Sequence, residues 1–290
     1  MFGIEMDILK FLEGIRNDFL NTFFELITIF GEETILVLII VTMWFAFDKK
    51  KAQKLLFITM SSMSVNGVIK NIAKVPRPFA SGEVTCVRPD TATGYSFPSG
   101  HTQNFATWTS ICAMELKKRW FTIVTALLIL LVAFSRVYLG AHYPSDVIVS
   151  VVLGTAFGTV GCIIYDKTEN KNRLYFGMII ILTPFAALFM FNAEPLFEDF
   201  YKFYGMVAGI PLAISFEEKY APIGYDVSKG KKLLRIVIGI AAAFAVKEGI
   251  KVFKVTDVAQ ICFVIDAIRY FLLVFVVMGL CPVLFKKIKI

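Results

Sequence analysis

The sequence predicts an all-α, polytopic membrane helix bundle, and three observations carry that prediction. Hydrophobic residues make up 57% of the 290-residue chain and charged residues only 18%, whereas soluble domains are roughly 45–50% apolar. Apolar runs long enough to cross a bilayer recur along the chain. The formal charge of +7 falls in the short breaks between those runs, as suits loops facing anionic lipid on the cytoplasmic side. A nucleic-acid binder would gather that charge into one basic stripe, so no nucleic-acid partner is expected.

The elements follow in order. In residues 5–30, Ile8, Phe11, Leu12, Ile15, Phe19 and Leu20 recur at helical spacing among charges, which predicts an amphipathic helix on the membrane surface. Glu5, Asp7, Lys10, Glu13 and Arg16 stand where a secretory leader needs an uninterrupted apolar core, so no cleaved leader is expected. A bilayer core about 30 Å thick needs about 20 mostly apolar residues per helix. Nine segments approach that length, at about 33–48, 52–73, 99–116, 120–138, 145–165, 174–191, 200–216, 232–250 and 259–285. The domain reading is an interfacial helix over 1–30, a core over 31–170 and additional transmembrane helices over 171–290.

Loop charge sets the expected orientation. Lys49, Lys50, Lys51 and Lys54 follow the first span. Lys117, Lys118 and Arg119 follow the third, and Lys167, Lys171 and Arg173 the fifth. Alternating spans place all three breaks on one side, which the positive-inside rule assigns to the cytoplasm. Lys229, Lys231, Lys232 and the C-terminal Lys286, Lys287 and Lys289 then also fall inside. The loops at 74–98 and 138–144 face outward, as does the acidic break at Glu194, Glu198 and Asp199. The expectation is nine spans in the cell membrane with an outside N-terminus, and a tenth, N-terminal span would leave the rest unchanged. Cys112, Cys162, Cys262 and Cys281 lie in apolar runs as small hydrophobes, and Cys86 stands alone in a polar loop, so no disulfide or metal pattern emerges.

Chemistry concentrates on the outward face. The only two histidines are His101 and His142. Lys70 and Arg77 lie about two helical turns apart at the outward end of the second span. Arginine meets a phosphate with a bidentate fork, and lysine adds a mobile point charge. Taken alone, the pair also suits interfacial snorkelling. Pro98-Ser99-Gly100-His101 opens a helix whose free N–H groups suit an anion; Gly100 permits close approach and Ser99 offers a hydroxyl. Taken alone, it also reads as a capped helix start. His142 precedes a helix start marked by Pro144, and Asp146 falls in the first turn. A carboxylate four residues on can accept the Nδ1 proton of His142 and leave Nε2 free to attack phosphorus. Arg136, six residues earlier, can join the other cations. The topology came from loop lysines, so the convergence of all three motifs on one membrane face is an independent agreement.

Lys70-x6-Arg77-Pro78, Pro98-Ser99-Gly100-His101 and Ser135-Arg136-x5-His142-x3-Asp146 resemble the three signature motifs of the type 2 phosphatidic acid phosphatase superfamily, at every signature position and in order. The resemblance covers about residues 30–166. It implies a six-helix phosphatase core, followed here by about three further membrane helices, and metal-independent phosphate hydrolysis through a phosphohistidine. It also implies that His142 is the nucleophile, that Asp146 orients it and that His101 protonates the leaving oxygen. Lys70, Arg77, Ser99, Gly100 and Arg136 would bind the phosphoryl group. Three cations and helix N–H groups suit the charge on a transferring phosphoryl. Asp90 and Glu83 are the only nearby loop acids, too few for a magnesium cage, so no cofactor is expected.

The leading expectation is therefore a lipid phosphatase at the membrane–water boundary. Its candidate substrates are phosphatidate, phosphatidylglycerol phosphate or a prenyl diphosphate such as undecaprenyl diphosphate; the span count also admits sugar phosphates. The alternative from another class is a transporter or lipid-binding membrane protein that keeps a phosphate site without turnover. For that alternative Arg235, Lys247, Glu248, Asp266 and Arg269 would line a path. The plainer reading pairs Asp266 with Arg269 at i, i+3 and makes Gly154 and Gly158 a helix-packing face.

Overall fold

Each of the nine apolar segments folds as helix, because in a bilayer only helices and closed barrels satisfy every backbone group internally. The computed structural model describes residues 3–290, and no strand occurs among the described residues. The helices are α1 (Gly3–Gly14), α2 (Asp18–Ile29), α3 (Glu33–Ala46), α4 (Lys49–Ala73), α5 (Gly100–Leu116), α6 (Arg119–Tyr138), α7 (Pro144–Lys167), α8 (Lys171–Phe191), α9 (Glu198–Tyr220), α10 (Lys229–Lys251), α11 (Ala259–Val274) and α12 (Cys281–Lys287), with α11 and α12 joined by a π-helical turn, Phe275–Leu280. Short 3-10 turns at Pro78–Ser81 and Pro89–Thr91 punctuate the long loop between α4 and α5.

Two expectations change in detail. The single N-terminal helix is two, because Asn17 caps α2 by accepting the Leu20 N–H at 3.0 Å. Of the nine segments, five helices are long and apolar enough to cross a membrane by themselves: α4, α6, α7, α8 and the α11–α12 run. The count is six if the bent pair α2 and α3 forms one span. The segments at 99–116, 200–216 and 232–250 form α5, α9 and α10, which are too short or too polar to cross by themselves. In α5 the polar Gln103, Asn104 and Thr107 are buried within the protein.

The chain divides into two compact units. The first comprises residues up to 35 and 65–164 and holds every predicted site residue. Its α5 and α6 form a hairpin turned by Lys117, whose left-handed backbone caps α5. Helix α7 lies directly on α5 at Gly154 and Gly158, where an added Cβ would fall 2.6 Å from the Gln103 and Thr107 carbonyl oxygens respectively. This is the packing face expected of that glycine pair, and inside a bilayer such close approach is a main source of helix association. Met6, Leu9 and Leu12 of α1 and Phe24 of α2 pack with Val137, Tyr138, Leu139 and Tyr143. The core therefore grips the segment that links α6 to α7.

The second unit comprises 36–64 and 165–290. There α9 and α11 approach at Gly205, against the Ala267 carbonyl, and at Gly209, against Phe271. Two of its buried carboxylates are paired. Glu217 accepts from Lys49 at 2.8 Å and from the Ile223 N–H at 2.5 Å. Asp266 meets Arg269 at 3.2 Å, as the i, i+3 spacing predicts, and also Lys254 at 2.9 Å.

Candidate active site

Backbone geometry brings the motifs together. Ser99 caps α5, accepting from the Thr102 N–H, which leaves the first N–H groups of the helix at its open end. Helix α6 ends two residues beyond Arg136, and Gly140 (φ +75°) reverses the chain before α7 begins at Pro144. Only glycine fits there, since a Cβ would lie 2.2 Å from the Thr85 carbonyl oxygen. The Ser99 N–H donates to the Asp146 backbone carbonyl at 3.4 Å, tying the start of α5 to the start of α7.

His142 is fully buried and engaged on both ring nitrogens. Its Nδ1 faces Asp146 Oδ2 at 3.3 Å. The same oxygen accepts from Ser96 Oγ at 2.5 Å and from the Tyr143 N–H at 2.9 Å. Arg77 Nη1 lies 3.0 Å from Nε2. A guanidinium only donates, so this contact assigns the lone pair to Nε2 and the proton to Nδ1, from which it is donated in a hydrogen bond to the carboxylate. Burial, and then the charges of Arg77, Arg136 and Lys70, hold the His142 imidazole well below the ordinary histidine range. It is neutral at physiological pH.

Three consecutive loop carbonyls hold two of the predicted cations. Lys70 Nζ donates to Tyr95 O at 2.6 Å, Arg77 Nε to Gly94 O at 3.0 Å, and Arg77 Nη2 to Thr93 O. Arg77 Nη1 also donates to Ala141 O at 3.0 Å. Arg136 is fully buried; its Nη1 donates to Thr28 Oγ1 at 3.0 Å, while Nε and Nη2 have no hydrogen-bond partner. His101 Nε2 is likewise buried without a partner. Ser99 Oγ is occupied by Thr102, 3.0 Å from its hydroxyl. Among the described residues, no group of three or more His, Cys, Asp and Glu side chains gathers closely enough to hold a metal ion.

Residues 51–170 match the PAP2 superfamily, and residues 201–290 match its phosphatase transmembrane extension. The undecaprenyl-diphosphatase BcrC of Bacillus subtilis is 30% identical over 187 residues, covering 61% of this chain and 94% of that protein. The chain belongs to the PAP2 superfamily. Other PAP2 relatives include a lipid A 4'-phosphatase of Porphyromonas gingivalis, 26% identical over 53% of this chain and 70% of that one. The dolichyldiphosphatase of Saccharomyces cerevisiae is 32% identical over 49% of this chain and 61% of that one. Among solved structures, a transmembrane PAP2 type phosphatidylglycerolphosphate phosphatase from Bacillus subtilis aligns at TM-score 0.51 and 25% identity, over 58% of this chain and 87% of that one. The chain is thus an all-α membrane protein of a family of lipid phosphatases and prenyl diphosphatases, and a phosphoric ester hydrolase by class.

Sequence reasoning missed two parts of this PAP2 site. Ser96 binds Asp146, and nothing in its local pattern marks it. The segment at 28–32 supplies Thr28 to Arg136, and its Gly31 lies against the His101 backbone. Both partnerships join residues distant in sequence, so spacing carries no sign of them.

Proposed function

We propose that this PAP2 phosphatase hydrolyses a lipid phosphate or prenyl diphosphate through a phosphohistidine at His142, without a metal ion, on the extracytoplasmic face of the cell membrane. The observation that carries the reading is the two-sided engagement of His142: Asp146 on Nδ1 and a phosphate-type cation, Arg77, on Nε2. An entering phosphoryl group takes the Arg77 N–H onto one of its oxygens and frees the Nε2 lone pair. Nε2 then attacks phosphorus, and the bond to the leaving oxygen breaks. Lys70, Arg77 and Arg136 neutralise the spread charge, aided by the Ser99-Gly100 helix start. The phosphate's charge offsets the surrounding cations and favours protonated His101, which gives its proton to the leaving oxygen. Water then attacks the phosphohistidine, returns a proton to His101 and releases phosphate.

In this reading residues 31–170 are the catalytic core, 1–30 lie at the lipid interface, and 171–290 add membrane helices. The lysine-rich loops support the orientation. Metal independence is supported by cations standing where a metal would otherwise carry the charge. The test uses purified protein in detergent with a chelator, supplied with phosphatidate and with a prenyl diphosphate. Phosphate release that survives chelation, with an acid-labile phosphoenzyme, is expected. His142→Ala should abolish both, and His101→Ala should cut turnover. Full turnover in His142→Ala would refute the nucleophile, and loss with chelator would point to a metal enzyme.

A further inference from the structure

The last residues of α2 and the link to α3, residues 28–32, make contacts that the reaction above does not use. Thr28 bonds Arg136. Gly31 sits where a Cβ would fall 2.8 Å from the His101 carbonyl oxygen and 2.9 Å from its Cβ, and Asn104 Nδ2 fixes the Gly31 carbonyl at 3.0 Å. The next residue, Glu32, places Oε1 at 3.1 Å from Arg88 Nη1. Both of these atoms are buried, yet neither has an aligned hydrogen bond. The segment bearing Arg88 is anchored beside the α6–α7 link, with the Val87 N–H on Leu139 O at 3.0 Å. A fourth cation thus stands on the His101 side of the site. Its side chain is 26% exposed, whereas Lys70, Arg77 and Arg136 are buried.

We propose that Arg88 and the 28–32 segment form a second phosphoryl subsite on the leaving-group side, making a lipid diphosphate the preferred substrate over a lipid monophosphate. The proposal rests on the roles given above to His142 and His101. A monoester leaves as a glycerol or sugar hydroxyl, which offers nothing to a fourth arginine. A diphosphate leaves as a phosphate. As the Nε2–P bond forms, the bridging P–O bond breaks, and its electron pair stays on the bridging oxygen of the departing lipid monophosphate. Arg88 takes that charge. Glu32 holds Arg88 through an unaligned ionic contact in the substrate-free site, and a phosphate offers the guanidinium a bidentate match in exchange.

The test compares kcat/KM for farnesyl diphosphate and phosphatidate, using the full chain in one detergent. The wild type should prefer the diphosphate. Arg88→Ala should lower kcat/KM for the diphosphate at least about tenfold more than for phosphatidate, and Arg88→Lys should recover part of it. Glu32→Gln should lower KM for the diphosphate, a gain that misfolding cannot produce. A wild type without diphosphate preference would overturn the subsite. So would equal losses on both substrates in Arg88→Ala and Glu32→Gln, which mark a structural pair. An active His142→Ala would instead overturn the underlying phosphohistidine reading, and the substrate ratio would still be measured.

Discussion

At the scale of residues, the proposed reaction depends on keeping one imidazole neutral and correctly oriented. Three donors on Asp146 Oδ2, from Ser96, Tyr143 and His142, leave that carboxylate little freedom to turn. Asp146→Asn preserves the shape but removes the acceptor that selects the Nδ1–H tautomer. Turnover should fall by about 10³-fold or more with KM little changed, read by steady-state phosphate release; a loss confined to KM would contradict the orienting role. The pH dependence has a definite sign. The proposed attack needs neutral His142, and burial beside three cations depresses its folded value. Activity should therefore persist as pH drops through about 6.5, the ordinary histidine value, and fail only near the lower, folded one. The acid limb of kcat/KM reports this, and a limb at or above the ordinary value would contradict the burial argument.

At the scale of elements, the link between α6 and α7 is held from outside itself. Arg16 donates through Nε to Tyr138 O at 3.0 Å and through Nη1 to Thr85 O at 3.0 Å. Glu5 accepts from the Ser145 N–H at 2.7 Å, capping α7 one residue before Asp146. Gly140 lies at the centre of this clasp. Gly140→Ala meets both a left-handed backbone and the Thr85 carbonyl, and should cost about 3 kcal/mol or more. A thermal melt in detergent and a matching loss of turnover would show it; an unshifted melt would mean the link relaxes freely. Outside the membrane-facing segments, α1 turns Ile4 and Phe11 away from the protein. The same helix therefore offers lipid an apolar face and the site its ionic clasp.

At the scale of the whole molecule, orientation is the property to test. Cys86, the natural reporter in the loop proposed to face outward, is only partly exposed, and burial pushes its thiol pKa up, so slow labelling is expected. Asp90→Cys on a Cys86→Ser background places an exposed thiol in the same loop. An impermeant maleimide should label it on intact cells, and labelling only after permeabilisation would reverse the topology. The helices were legible in the sequence, because apolar runs record a lipid boundary directly. The break at Asn17 was signalled by its capping side chain but masked by apolar spacing that continues across it. Lys70, Arg77, His101, His142 and Asp146 were legible because short spacings encode them. Ser96, Arg88 and the 28–32 segment were not, because folding alone sets their neighbours.

The contact between Arg77 and His142 has a consequence for the resting protein. A nucleophilic nitrogen at a membrane surface is an open ligand for adventitious zinc or copper and a target for alkylating agents. Here its lone pair is covered by a guanidinium that accepts neither a metal nor an electrophile. The cover yields to an anion able to bind the arginine itself. In the proposed reaction the phosphoryl group is therefore also the group that unmasks the reactant, and selectivity begins before any bond to phosphorus forms.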